Sequence, residues 1–126
     1  MKPRVLIADD EEGVRESLNL ILEDQYEVTF AENGEEALTR LAQERFDLAF
    51  LDIKMPKLDG LDVLKRLKSS GITTPVLMLT AYQSVELAKE AVNLGALDYL
   101  PKPFGRDQIL TAVRGILQQQ LPTQGP

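Results

Sequence analysis

Five short runs rich in β-branched and apolar residues alternate with segments whose apolar residues recur at helical spacing, and this alternation constrains the chain more than any other feature. The runs are RVLIA (4–8), YEVTFA (26–31), DLAFL (47–51), VLMLT (76–80) and ALDYL (96–100). After each comes a helical pattern. Val14, Leu18, Ile21 and Leu22 mark the first; Ala37, Leu38 and Leu41 the second; Leu61, Leu64 and Leu67 the third. Val85, Ala88 and Val92 mark the fourth, and Ile109, Val113, Ile116 and Leu117 the last. Asn33-Gly34 punctuates the second strand, Ser69-Ser70-Gly71 closes the third helix, Pro75 opens the fourth strand, and Gly95 caps the fourth helix. Five strand–helix units in register predict a doubly wound α/β domain, a parallel sheet sandwiched between helices on both faces. Strands that are continuously apolar, rather than alternating, fit burial on both sides. The closing stretch QQQLPTQGP (118–126) is polar and rich in Gln and Pro, so a folded domain of residues 1–119 followed by a linker or disordered tail at 120–126 is expected.

Composition removes several chemistries. No cysteine means no disulfide and no thiolate, and no histidine means neither the commonest general base nor the commonest transition-metal ligand. Ser–His and Cys–His catalysis is therefore excluded. A formal net charge of −6 disfavours direct contact with nucleic acid or anionic lipid. No apolar stretch approaches the roughly 20 residues needed to cross a bilayer. The N-terminal MKPRVLIADD lacks a signal-peptide cleavage pattern, so a cytoplasmic domain is expected.

Function is sought at one edge, because ligands of open α/β sheets sit outside the carboxyl ends of the strands. Those ends carry Asp9 and Asp10 after the first strand, Asp52 after the third, Thr80 at the end of the fourth, and Lys102 just past the fifth. Each has an ordinary role when taken alone. Acids at a helix start cap backbone N–H groups and meet the helix dipole; a threonine closing a strand reflects β-propensity; an aspartate after a strand suits a turn. Taken together they imply more. Three converging carboxylates repel, and without a cation one is pushed toward protonation. Mg²⁺ removes that conflict, since it takes oxygen ligands from few carboxylates, water and phosphate. A lysine and a hydroxyl facing the same point suit phosphoryl oxygens, so the set fits phosphoryl transfer to a carboxylate.

In this order and spacing, ADDEE, LDIKMPKLDG, LTA and YLPKPF resemble the receiver domain of bacterial two-component response regulators, over about residues 4–117. The resemblance implies a CheY-like sheet of strand order 2-1-3-4-5. It implies that Asp52 is the phosphoacceptor for a sensor histidine kinase. Asp10, Asp52 and the backbone carbonyl of Lys54 would hold Mg²⁺, with Asp9 acting through water. Lys102 would pair with the phosphoryl group, Thr80 and Tyr99 would act as the switch pair, and the Lys102-Pro103 bond would be cis. Met55-Pro56 and Gly60 would shape the loop after Asp52. Lys54 and Tyr82 match positions that vary among members and tune the phosphate's lifetime. The implied output is an altered surface of the fourth helix, fifth strand and fifth helix, read by an output domain or partner protein, with a phosphorylation-dependent homodimer as one form. Gln108 and Ala112 stand where receivers of winged-helix regulators commonly carry Glu and Arg; the stretch from Leu79 to Phe104 looks more like receivers attached to AAA+ activators.

Two other classes fit less well. A phosphatase of the haloacid dehalogenase type wants a second aspartate two residues after the nucleophile, where this chain has Lys54. A flavodoxin-like cofactor binder cradles phosphate in a Ser/Thr/Gly-rich first loop. Here that loop is Asp9-Asp10-Glu11-Glu12, which repels phosphate.

Overall fold

A computed structural model describes residues 2–82 and 84–120. The elements run β1 (Arg4–Ala8), α1 (Glu12–Leu22), β2 (Glu27–Ala31), α2 (Gly34–Gln43), β3 (Leu48–Leu51), α3 (Gly60–Ser69), β4 (Val76–Thr80), α4 (Val85–Asn93), β5 (Asp98–Pro101) and α5 (Arg106–Gln120). The five strands are parallel, in the order β2-β1-β3-β4-β5.

Side-chain alternation along the strands sorts the core into two halves. Leu6, Ala8, Ala49, Leu51, Val76 and Met78 point to one face, where α2, α3 and α4 bring Leu41, Leu64 and Ala91. Val5, Ile7, Leu48, Phe50, Leu77 and Leu79 point to the other, against Leu18 and Leu22 of α1 and Ile109 and Val113 of α5. Each fully buried aliphatic side chain contributes about 1.5–3 kcal/mol relative to exposure. The central strands β1, β3 and β4 are buried almost throughout, whereas edge strands β2 and β5 are only partly covered.

The structure moves four boundaries or faces. Tyr26 is not in β2: its amide bonds to the Leu22 carbonyl at 2.9 Å, closing the turn out of α1. Strand β3 begins one residue late, at Leu48, because the Asp47 carboxylate turns back to accept the Arg4 amide at 2.8 Å. Strand β5 begins at Asp98 rather than Ala96: Gly95 takes φ +108, and the Ala96 amide bonds back to Ala91, so both belong to the cap of α4. On α4, Val85 and Val92 are 70% and 55% exposed, and the residues turned inward are Leu87, Ala91 and Leu94. The periodicity that reveals α4 is real, but that helix carries a second apolar stripe, and the sheet takes the second.

The expected tail falls largely outside the described residues. Helix α5 continues through Gln118 to Gln120, in keeping with the good helix propensity of Gln, and residues 121–126 lie outside the described residues.

Candidate functional site

The sheet's carboxyl edge is assembled by backbone ladders that overrun the strands. The Asp9 amide bonds to the Ala31 carbonyl, and the Asp52 amide to the Ala8 carbonyl, each at 3.1 Å. Two acids 43 positions apart in the chain are thus pinned on neighbouring strand ends and buried, 2% and 6% exposed. Lys102 is pinned to the same edge by its own amide, 3.0 Å from the Thr80 carbonyl.

The Lys102 ammonium sits between the two acids, 2.7 Å from Asp9 Oδ2 and 2.9 Å from Asp52 Oδ2, with Glu11 Oε1 at 3.4 Å. Burial works against its charge, but hydrogen bonds and charge from Asp9 and Asp52 outweigh burial and raise its pKa far above the usual lysine value. Asp9 is pulled both ways. Burial raises its pKa, while Lys102 and the Glu11 amide, 2.9 Å from Oδ1, hold it down; burial wins. Such an arrangement is tense: one cation faces several acids in a dry setting.

Asp9, Asp10, Glu11 and Asp52 each offer a carboxylate oxygen, and these oxygens lie within 4.8 Å of one another. Asp52 Oδ1 is buried without a hydrogen-bond partner. An orphaned anionic oxygen beside an all-oxygen donor set, with Asp10 and Glu11 exposed at its rim, fits a hard divalent cation and not a thiophilic metal.

The predicted residues divide into two groups. Asp9, Asp10, Asp52 and Lys102 converge. Thr80, at the end of β4, is fully buried, and its hydroxyl accepts the Tyr82 amide at 3.2 Å. The Tyr99 hydroxyl donates to the Tyr82 carbonyl, and its ring packs partly buried against the core. Burial and the charge of Asp52 raise the Tyr99 pKa. The Lys54 ammonium extends outward to lie 5.7 Å from the centroid of the Tyr82 ring, a cation–π contact that joins the loop after β3 to the loop after β4. The Lys102-Pro103 bond is cis.

One participant was not singled out by the sequence, and another was singled out only as a position that tunes the phosphate's lifetime. Glu11 belongs to the acidic group, and its signal was its place in the unbroken run Asp9-Asp10-Glu11-Glu12. Tyr82 is the junction of Thr80, Tyr99 and Lys54, largely through its main chain, which no side-chain identity announces.

A doubly wound sheet with an acidic cluster and a half-buried lysine at its carboxyl edge is the architecture of a receiver-type signalling domain. The chain belongs to the response regulator receiver domain family, whose pattern it matches over residues 5–114, and it is a CheY-like receiver of a two-component response regulator. It is 43% identical over 127 residues to "Response regulator MprA" of Mycobacterium sp. (strain KMS), covering all of this chain and 55% of that protein. It is also 43% identical over 123 residues to the protein of the same name from Mycobacterium bovis (strain BCG / Pasteur 1173P2), covering 97% of this chain and 54% of that one. The chain thus spans about half the length of these relatives. Among solved structures, the receiver domain of Francisella response regulator 1452 superposes with a TM-score of 0.90 at 34% identity, covering 95% of this chain and 100% of the other. A CheY-like receiver protein of Methanospirillum hungatei JF-1 gives 0.90 at 32% identity, covering 95% and 97%. Among the described residues, no helix is long and apolar enough to cross a membrane.

Proposed function

We propose that this domain is a phosphorylation-driven switch in which Asp52 accepts a phosphoryl group from the phosphohistidine of a sensor histidine kinase. The observation that carries this reading is the Asp52 carboxylate itself: Oδ2 is held by Lys102 at 2.9 Å while the buried Oδ1 has no partner. A carboxylate is a competent nucleophile toward phosphorus. One of its oxygens forms the new O–P bond as the P–N bond breaks, and the imidazole leaves with the electron pair and takes up a proton.

Mg²⁺, held by Asp10, Asp52 and the Lys54 carbonyl, with Asp9 acting through water, would neutralise the charge that spreads over the phosphoryl oxygens. The ammonium of Lys102, preorganised by Asp9, would stabilise the same charge. The sheet's role is to hold these groups still: the Asp52 amide is bonded into the β1 ladder, so its carboxylate does not have to be positioned anew at each encounter.

The acyl phosphate adds charge and acceptor oxygens beside Thr80 and Lys102. Thr80 and Tyr99 both bond to Tyr82, so a hydroxyl drawn toward the phosphate releases one of the two bonds at that residue. This links the site to the surface of α4, β5 and α5, where Val85, Val92 and Leu97 lie exposed as contacts for an output domain or a partner protein. The longer relatives support attachment to an output domain, here in transcription control; a phosphorylation-dependent homodimer through the same face fits these exposed residues too. Soluble, cytoplasmic and without direct nucleic-acid contact is the setting this reading requires.

With Mg²⁺ and acetyl phosphate, the domain should gain one acid-stable, base-labile phosphoryl group by mass spectrometry. Chelation should suppress it, and Asp52→Ala should abolish it. Labelling that persists in the Asp52→Ala protein overturns the proposal.

A further inference from the structure

The loop that joins β3 to α3 is strained, and its strain is braced from an element that supplies none of the acids. Lys57 takes φ +72, and the Leu58 amide bonds to the Pro56 carbonyl at 2.8 Å, the i to i+2 bond of a γ-turn of the rarer hand. A residue with a Cβ disfavours that conformation, which persists only where the surroundings over-determine it.

Two glycines supply the constraint. At the loop's end, the Gly60 amide bonds to the Ile53 carbonyl at 2.7 Å, and a Cβ there would lie 2.2 Å from the Asp52 carbonyl oxygen. The other brace comes from α2. Gly34, its first residue, is buried, and its amide reaches the Pro56 carbonyl at 3.4 Å. A Cβ on Gly34 would lie 1.9 Å from the Leu58 carbonyl oxygen, 2.6 Å from its carbonyl carbon and 2.7 Å from its Cβ. The oxygen and carbon are main chain, so no rotamer change relieves the overlap. Asn33 fixes the approach, because its side chain accepts the Glu36 amide at 2.8 Å and locks the first turn of α2. Leu58 in turn packs against the core on that face.

We propose that Gly34 is a positioning residue for phosphoryl transfer: by letting α2 sit directly on the γ-turn, it holds the segment from Asp52 to Gly60 in its reactive register. The proposal rests on the reading of Asp52 as phosphoacceptor. It goes beyond the sequence reading of Asn33-Gly34, which is punctuation only.

The test uses the full chain carrying Gly34→Ala, with Asn33→Ala as a milder lesion that loosens the same turn without adding an atom against Leu58. Leu22→Ala, on the opposite face of the sheet, is the control for general loss of stability. Two quantities are measured: amide chemical shifts of residues 53–55 and 57–60 in metal-free protein, and the rate of labelling by acetyl phosphate per folded molecule. Gly34→Ala should move the amides of 57–60 and slow labelling by roughly ten- to a hundredfold, the scale of a small misplacement of reacting groups. Asn33→Ala should do the same to a smaller degree, and Leu22→Ala should do neither. Unmoved loop amides and an unchanged rate in Gly34→Ala overturn the proposal, as does equal slowing in Leu22→Ala. Should Gly34→Ala fail to fold, an unchanged loop and rate in Asn33→Ala overturn it instead. A wild-type protein that takes no label would defeat the phosphoacceptor reading, while the metal-free shifts would still decide whether Gly34 braces the loop.

Discussion

The two ends of the sheet both gather charge, yet they treat it in opposite ways. At the amino edge, Arg4 is satisfied on nearly every side. Its amide donates to Asp47 Oδ2 and its Nη1 to the Arg45 carbonyl, each at 2.8 Å, while Nη2 meets Glu44 Oε1 at 2.7 Å. Its guanidinium lies 4.7 Å above the Phe46 ring, and Glu27 stands 3.8 Å from Nε. One cation there ties β1, β2 and the α2–β3 turn together in a partly solvated setting. At the carboxyl edge, Lys102 faces three acids in a far drier setting, and one Asp52 oxygen is left with nothing. Balanced charge stabilises a fold; unbalanced, buried charge costs stability and is the mark of a site that waits for a ligand.

This contrast can be broken in four ways, from the largest effect to the smallest. Lys102→Ala removes the only cation hydrogen-bonded to Asp52 among the described residues, and labelling by acetyl phosphate should fall about a hundred- to a thousandfold, the scale of losing one preorganised electrostatic contact. Comparable rates for the two proteins would put the chemistry elsewhere. Mg²⁺ at about a hundred times its Kd should raise unfolding stability by roughly 2.7 kcal/mol in urea titrations. That gain should shrink sharply in Asp10→Asn and Asp52→Asn, and a full gain in both would remove the carboxylates from the metal site.

Arg4→Ala should cost about 1–2 kcal/mol, the worth of several partly exposed charged hydrogen bonds. Its labelling rate per folded molecule should match wild type; a slowed rate would show that the two edges are coupled. Glu44 carries the smallest effect. Its hydrogen bond to Arg4, and then Arg40, hold its carboxyl below the usual value of 4.5. A depressed folded-state pKa gives stability that is present above the ordinary value and is lost as pH falls through the folded one. Stability should therefore decline less steeply below pH 4.5 in Glu44→Gln than in wild type, as read by thermal unfolding across that range. An identical acid slope would mean that the Arg4–Glu44 pair contributes nothing in solution.

Much of the fold was legible because it depends on local pattern. Apolar runs of strand length, helical spacing between them and the breakers Pro75 and Gly95 specify layers and connections without reference to distant residues. The acids were legible for a similar reason: parallel strands point their carboxyl ends the same way, so residues that follow strands must share an edge. Less visible were features that depend on how two elements meet. Nothing local says that Leu87, Ala91 and Leu94, rather than Val85 and Val92, face the sheet, since both stripes repeat at helical spacing. Nor does any residue type announce that Tyr82 is bonded through its backbone to both Thr80 and Tyr99.

The amino-acid sequence alone determined that this chain makes five alternating units of strand and helix and that acids, a hydroxyl and a lysine collect at one rim, because periodicity and strand direction are properties of short segments. Tertiary structure alone decided that Lys102 bridges Asp9 and Asp52, that one Asp52 oxygen is stranded, and that Gly34 of α2 lies against Leu58. Those are distances between segments far apart in the chain, set by packing at ångström scale, where a single Cβ is enough to change the answer.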